Sequence, residues 1–173
     1  MAGTNNLLIM SWSKCKIEIG KTGASDAMAS SLTNIGTIKD KSTSLSAEDG
    51  EVLEAKATGG IVVATEEGEH VYKITTRVME MDFSTESGLT GATLSSENNE
   101  LTVKTNIVSD NYSVKLTPKN VGSIGIKAPK CHVTLKPGHS EEEGDYMDVT
   151  FKILATSAGV LYTKFKVASS DWS

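Results

Sequence analysis

The chain has 173 residues, 38% of them hydrophobic and only 5% aromatic, and 17 Lys and Arg stand against 22 Asp and Glu for a formal net charge of -5. That length holds one well-buried core, and no stretch has linker composition, so residues 1–173 read as one domain. The acidic balance argues against an electrostatic nucleic-acid binder, nothing approaches the ~20 apolar residues of a membrane span, and Asn6 to Trp12 is too short and lacks the basic lead of a secretory leader.

In chain order, Cys15, Ile17 and Ile19 alternate with Lys14, Lys16 and Glu18, which predicts a first strand ending at Gly20. Residues Ala24 to Leu32 read as a short helical turn or a loop, because serines compete for backbone hydrogen bonds. Ile35 to Leu45 is extended and rich in Ser and Thr, and Glu48, Asp49 and Gly50 punctuate it before Val52 to Ala57. Gly59 and Gly60 allow a sharp turn, Ile61 to Thr65 is a second β-branched run, and Glu66 to His70 reads as a hairpin connection into the next strand.

That next strand carries the clearest signal. Tyr72, Ile74, Thr76 and Val78 share one face, the phase then slips to Met79, Met81 and Phe83, and Lys73, Thr75, Arg77, Glu80 and Asp82 take the other face. A slip of one residue exchanges the faces, so a bulge is expected near Val78 and Met79. Ser84 is placed to cap a short helix through Leu89, Ala92 and Leu94, weakened by Gly88 and Gly91.

Leu101, Val103, Thr105 and Ile107, then Tyr112, Val114 and Leu116, predict a pair of strands turning at Ser109 to Asn111. Pro118 stops that pair, and a further strand carrying Cys131, Val133 and Leu135 is bounded by Pro129 and by Pro137 with Gly138. After the acidic turn Glu141 to Asp145, Met147, Val149, Phe151, Ile153 and Ala155 give the second-cleanest strand, and Leu161, Thr163, Phe165 and Val167 complete a terminal hairpin. The sum is eight or nine strands with one or two short helices: an all-β fold, an antiparallel sandwich or barrel.

Motifs for chemistry fail on geometry. Gly20, Lys21 and Thr22 imitate the end of a P-loop, but Cys15 stands where its leading glycine belongs. Cys131 and His132, neighbours in a strand, point to opposite faces and cannot share a metal ion, and Cys15 and Cys131 are expected as free, buried thiols in a reducing cytoplasm. There is no Gly-x-Ser-x-Gly elbow, the 141–145 acids read as solvated surface, and the Asn111 to Ser113 sequon is idle without secretion. Neither an enzyme nor a cofactor is expected.

The order of elements is an early Ile-Glu-Ile-Gly strand (Ile17 to Gly20), a Ser/Thr-rich arm with Ser42 to Gly50, the ribbon Glu51 to Phe83, a short helix and the C-terminal strands around Tyr146 to Val167. It resembles the tail tube proteins of bacteriophages and the related tube proteins of contractile injection machines. The resemblance implies a β-sandwich or barrel with a flanking helix, homohexameric rings, and stacked rings forming a tube that passes DNA or effectors. It further implies a virion or prophage tail built in the bacterial cytoplasm, with other tail proteins as partners and no membrane. On that reading Glu54, Lys73, Arg77, Glu80 and Asp82 are expected at a lumen or ring interface, with Glu54, Glu80 and Asp82 on an acidic wall that does not grip phosphate. Ile61, Val62 and Val63, with Glu66 and Glu67, are expected in a loop that contacts the next ring. The competing reading is a monomeric ligand- or carbohydrate-binding β-sandwich module, which needs exposed aromatic faces.

Overall fold

The computed structural model describes residues 14–105 and 110–172. In chain order the strands are β1 (Cys15–Lys21), β2 (Thr33–Asn34), β3 (Thr37–Ile38), β4 (Ser44–Glu48), β5 (Val52–Lys56), β6 (Val62–Glu67) and β7 (Val71–Glu80). Helix α1 (Phe83–Thr90) follows, then β8 (Thr93–Leu94), β9 (Leu101–Thr102), β10 (Asn111–Pro118), β11 (Ile124–Ser140), β12 (Gly144–Ile153) and β13 (Thr163–Lys166), with 3₁₀ turns at Ala24–Asp26 and Ser169–Trp172. The all-β class with one short helix is as the alternation predicts.

One antiparallel sheet runs β2-β1-β10-β11-β12-β7-β3, with β13 beside β11 and β4 beside β7. Its terminal strands β2 and β3 are consecutive in the chain, separated only by Ile35 and Gly36. Three peptide steps span at most about 11 Å, so the sheet curls until its ends meet. The ladder does not join β2 to β3, so the curl is not a closed barrel. Inside it lie Ile17, Ile35, Ile74, Val114, Cys131, Val149 and Phe151, all without solvent exposure. Full burial of such a side chain contributes roughly 1.5–3 kcal/mol, so this set dominates the stability of the domain.

The phase slip in β7 has the expected cause. Thr37 opposes Glu80 while Ile38 opposes Val78, which leaves Met79 as the extra residue of a bulge. Val78 thereby stays in the core while Glu80 returns to the solvent face.

Several sequence expectations give way. β11 is one 17-residue strand that passes through both prolines. Pro129 is tolerated because Tyr112 pairs with Cys131 but Val114 pairs with Ala128, so the ring sits in a bulge where no ladder N–H is required. Its carbonyl accepts hydrogen bonds from the hydroxyls of Thr22 and Ser113 at 2.9 and 2.7 Å. Gly138 continues the strand because the Tyr146 ring lies where a Cβ would be, 2.3 Å from it. The terminal pair is also different: β13 joins the first residues of β11, Ile124 to Lys127, and not β12.

β9 pairs with β8 rather than with β10, and β10 lies between β1 and β11. Ile107 and Ser109, assigned to the expected strand and turn, lie outside the described residues, as does the segment Asn6 to Trp12. Helix α1 starts after Asp82, not Ser84, and stops at Gly91, whose left-handed φ of 72° ends it before Ala92 and Leu94. The helix is fixed by buried Leu89 and by the Tyr112 hydroxyl, which donates to the Gly88 carbonyl at 2.6 Å.

Candidate functional site

Between Glu51 and Glu69 the chain leaves the sheet. Residues Glu66 to His70 do not turn β6 onto β7: β6 pairs with β5, and these two strands pair with nothing else. Gly59 and Gly60, with φ of 94° and 80°, form the turn, and the stem is pinched where Gly50 and Gly68 approach so closely that a Cβ on Gly50 would lie 2.2 Å from the Gly68 carbonyl oxygen. Every residue of β5 and β6 is exposed. Leu53, Ile61 and Val63 are 61%, 67% and 64% exposed.

The register gives the hairpin two unlike faces. Leu53 pairs with Glu66 and Ala55 with Ala64, but Lys56 pairs with Val62, so Val63 is an extra residue. The Ala57 N–H then donates to the Ile61 carbonyl at 2.8 Å, which places Ile61 on the same face as Leu53, Ala55, Ala57 and Ala64, with Glu66 at the stem end beside Leu53. The opposite face carries Glu54, Lys56, Thr65 and Glu67 beside Val52 and Val62, and Lys56 pairs with Glu54 at 3.4 Å. An apolar sheet face open to water and two unpaired strand edges are features that proteins ordinarily cover.

A second polar surface is the outer face of β7 and β12. Arg77 donates from Nε and Nη2 to the two carboxylate oxygens of Asp148 at 2.7 and 2.9 Å, and from Nη1 to Glu143 at 2.7 Å. Its guanidinium lies 4.1 Å from the Tyr146 ring centroid. Lys39 also pairs with Glu143. Hydrogen bonds from Arg77 hold the Asp148 carboxyl below the usual carboxylate range, Lys39 and then Arg77 do the same for Glu143, and Asp148 raises Arg77 further. Lys73 reaches both oxygens of Glu48 at 2.8 Å across the β4–β7 pair.

The ten residues singled out from the sequence therefore occupy three places. Lys73 and Arg77 share the outer face of β7, each neutralised by carboxylates. Glu80 accepts a hydrogen bond from Thr37 at the end of β7, and Asp82 sits at the N-terminus of α1, accepting from Ser84. Glu54 is on the hairpin with Ile61, Val62, Val63, Glu66 and Glu67, which form its turn and second strand rather than a loop. Sequence reading missed Asp148, Glu143 and Lys39 as partners of Arg77. Asp148 alternates with Met147 and Val149, so its outward face was readable, but its register opposite Arg77 was not.

Among the described residues no group of three His, Cys, Asp or Glu is placed to hold a metal ion. Cys15 and Cys131 are free thiols, but only Cys131 is buried as expected; Cys15 is partly exposed, and burial pushes Cys131 up to about 12. The described Trp and Tyr rings are all engaged: Trp172 beneath Lys16 with its N–H donating to the Pro118 carbonyl, Tyr72 edge-on to Tyr162, Tyr146 beneath Arg77, Tyr112 in the core. No protein-family model matches the chain, and no curated protein matches it.

Proposed function

We propose that this chain is a structural subunit of a phage or prophage tail tube. Copies of it close into hexameric rings, the rings stack with other tail proteins into a virion tail, and the channel passes DNA without binding it specifically. The curled sheet is then the sandwich- or barrel-like body that the family resemblance implies, and the role is assembly rather than catalysis. The observation that carries this reading is the β5–β6 hairpin: an amphipathic two-stranded element, exposed along its whole length, that is marginal alone in water and gains its stability from a covering partner.

Two further observations support it. Lys73 and Arg77, the bases expected at a lumen or ring interface, are paired with Glu48, Asp148 and Glu143, which offsets their charge towards phosphate. No helix among the described residues is long and apolar enough to cross a membrane. The sugar-binding alternative is less favoured among the described residues, since the Trp and Tyr rings there are engaged within the domain.

The test is light scattering over a concentration series, followed by negative-stain microscopy and a low-salt gel shift with duplex DNA. Rings or tubes that leave the DNA unshifted are expected. A protein that stays monomeric at the highest concentration, or that binds duplex DNA tightly, overturns the reading.

A further inference from the structure

We infer that the hairpin of one copy seats in a lysine-rimmed groove of a second copy, so that the contact between subunits is head-to-tail. This rests on the self-assembly reading above and assigns both halves of its interface. The groove lies between the first residues of β1 and the 34–43 segment that straps the ends of the curled sheet together. Its volume is about 1070 Å³. That is the upper end of the size of specific pockets, roughly 300–1,000 Å³, and admits a pair of large side chains with their backbone. Cys15 and Ile38 supply apolar surface, the Trp172 ring lies beneath Lys16, and Lys14, Lys39 and Lys41 stand around the groove.

The two surfaces match in polarity and in sign. The hairpin offers Leu53 and Ile61 on one face, and the partly buried Cys15 and Ile38 are the apolar surfaces that receive them. From Glu51 to Glu69 the hairpin carries five acids, Glu51, Glu54, Glu66, Glu67 and Glu69, against Lys56, a net of -4. The groove carries Lys14, Lys16, Lys39 and Lys41 against Asp40, with Lys16 paired to Glu18 at 3.6 Å. Lys39 is already paired with Glu143, which makes Lys14 and Lys41 the rim charges to test. Opposite potentials of this kind steer encounter and fix register.

The hairpin of the same chain does not fill the groove, because every residue of β5 and β6 is exposed. Donor and acceptor are different patches of one surface, so reciprocal exchange between two copies closes a two-fold dimer, whereas the ring reading above requires the head-to-tail form. Head-to-tail repetition generates a ring where the rotation closes and a filament where it does not, and a wild-type protein that stops at a two-fold dimer overturns the head-to-tail assignment.

The experiment uses two full-length variants, a hairpin variant (Leu53→Asp with Ile61→Asp) and a groove variant (Lys14→Glu with Lys41→Glu), each checked for folding by circular dichroism. Alone, each is expected to lose assembly, with the concentration needed for association raised by roughly tenfold or more. Mixed in equal amounts, they are expected to form a one-to-one dimer and nothing larger, because the mixture contains one intact hairpin-groove pair. Independently, Ile61→Cys with native Cys15 is expected to give covalent dimers with a short bismaleimide, and Cys15→Ser to abolish them; buried Cys131 stays silent. Wild-type assembly without the mixed dimer, or without cross-linking through Cys15, overturns the hairpin-groove assignment and leaves self-assembly standing. A wild-type protein that never assembles overturns both.

Discussion

The nine-stranded sheet and the β5–β6 hairpin are built from the same kinds of residue, yet they stand in opposite relations to water. In β12, Met147, Val149, Phe151 and Ile153 alternate with polar residues and all four are buried. In the hairpin, Leu53, Ala55, Ala57, Ile61 and Ala64 share a mostly apolar face with Glu66, and it is open. Alternation specifies a two-faced strand; whether the apolar face is covered depends on which strands lie next to it. β12 has β11 and β7 on its two edges, whereas β5 has only β6. One region carries its own core, and the other leaves its apolar face open.

The comparison breaks most readily at Phe151, which is fully buried. Phe151→Ala is expected to cost roughly 3–5 kcal/mol, read as a shift in the urea midpoint with the slope unchanged. A loss below about 1 kcal/mol places this face of β12 outside the core and removes the contrast with the hairpin.

How far the sequence reaches follows the same division. Strands bounded by local signals were legible: β1 from its alternation and Gly20, β7 with its bulge at Met79, and β12 with its core set. What was not legible was partnership. β13 joins β11 across the chain, β8 takes β9 away from β10, and Pro129 stays within a strand because Val114 and Ala128 shift register opposite it. Each is settled by contacts between distant residues, and a local window carries no information about them. The candidate residues show the same limit: Arg77 was readable as an outward base on β7, but its partners Asp148 and Glu143 lie 71 and 66 residues away.

A smaller effect is expected from the ion-pair network that clamps β7 to β12. Asp148 has its carboxyl lowered, first by hydrogen bonds from Arg77. A folded-state value below the unfolded one means that the stabilisation is fully present above the ordinary carboxylate range, roughly pH 4, and is lost as pH falls through the lowered value. Asp148→Asn is therefore expected to be less stable than the parent at pH 7, by far less than Phe151→Ala because the pair is solvent-screened, with the gap closing below about pH 4. Denaturant midpoints at pH 7, 4 and 2.5 measure it. A gap that stays constant across that range assigns the role of Asp148 to packing against β7 rather than to its charge.

The smallest effect on folding is expected where the apolar surface is largest in the open. Leu53→Ser with Ile61→Ser removes two large side chains, but both are more than half exposed and the hairpin touches no strand outside itself through its ladder. Little water-excluded area is lost, so the stability of the monomer should change by no more than about 0.5 kcal/mol. The same change should weaken assembly, because a covered apolar pair near the centre of an interface contributes far more than an uncovered one. Unfolding of dilute protein and light scattering of concentrated protein separate the two. If the dilute protein loses 2 kcal/mol or more, the hairpin is part of the domain's own core and the contrast between the regions disappears. A change confined to the concentrated sample makes its apolar face a surface for other molecules, which is what an uncovered, pinched and amphipathic ribbon is suited to provide.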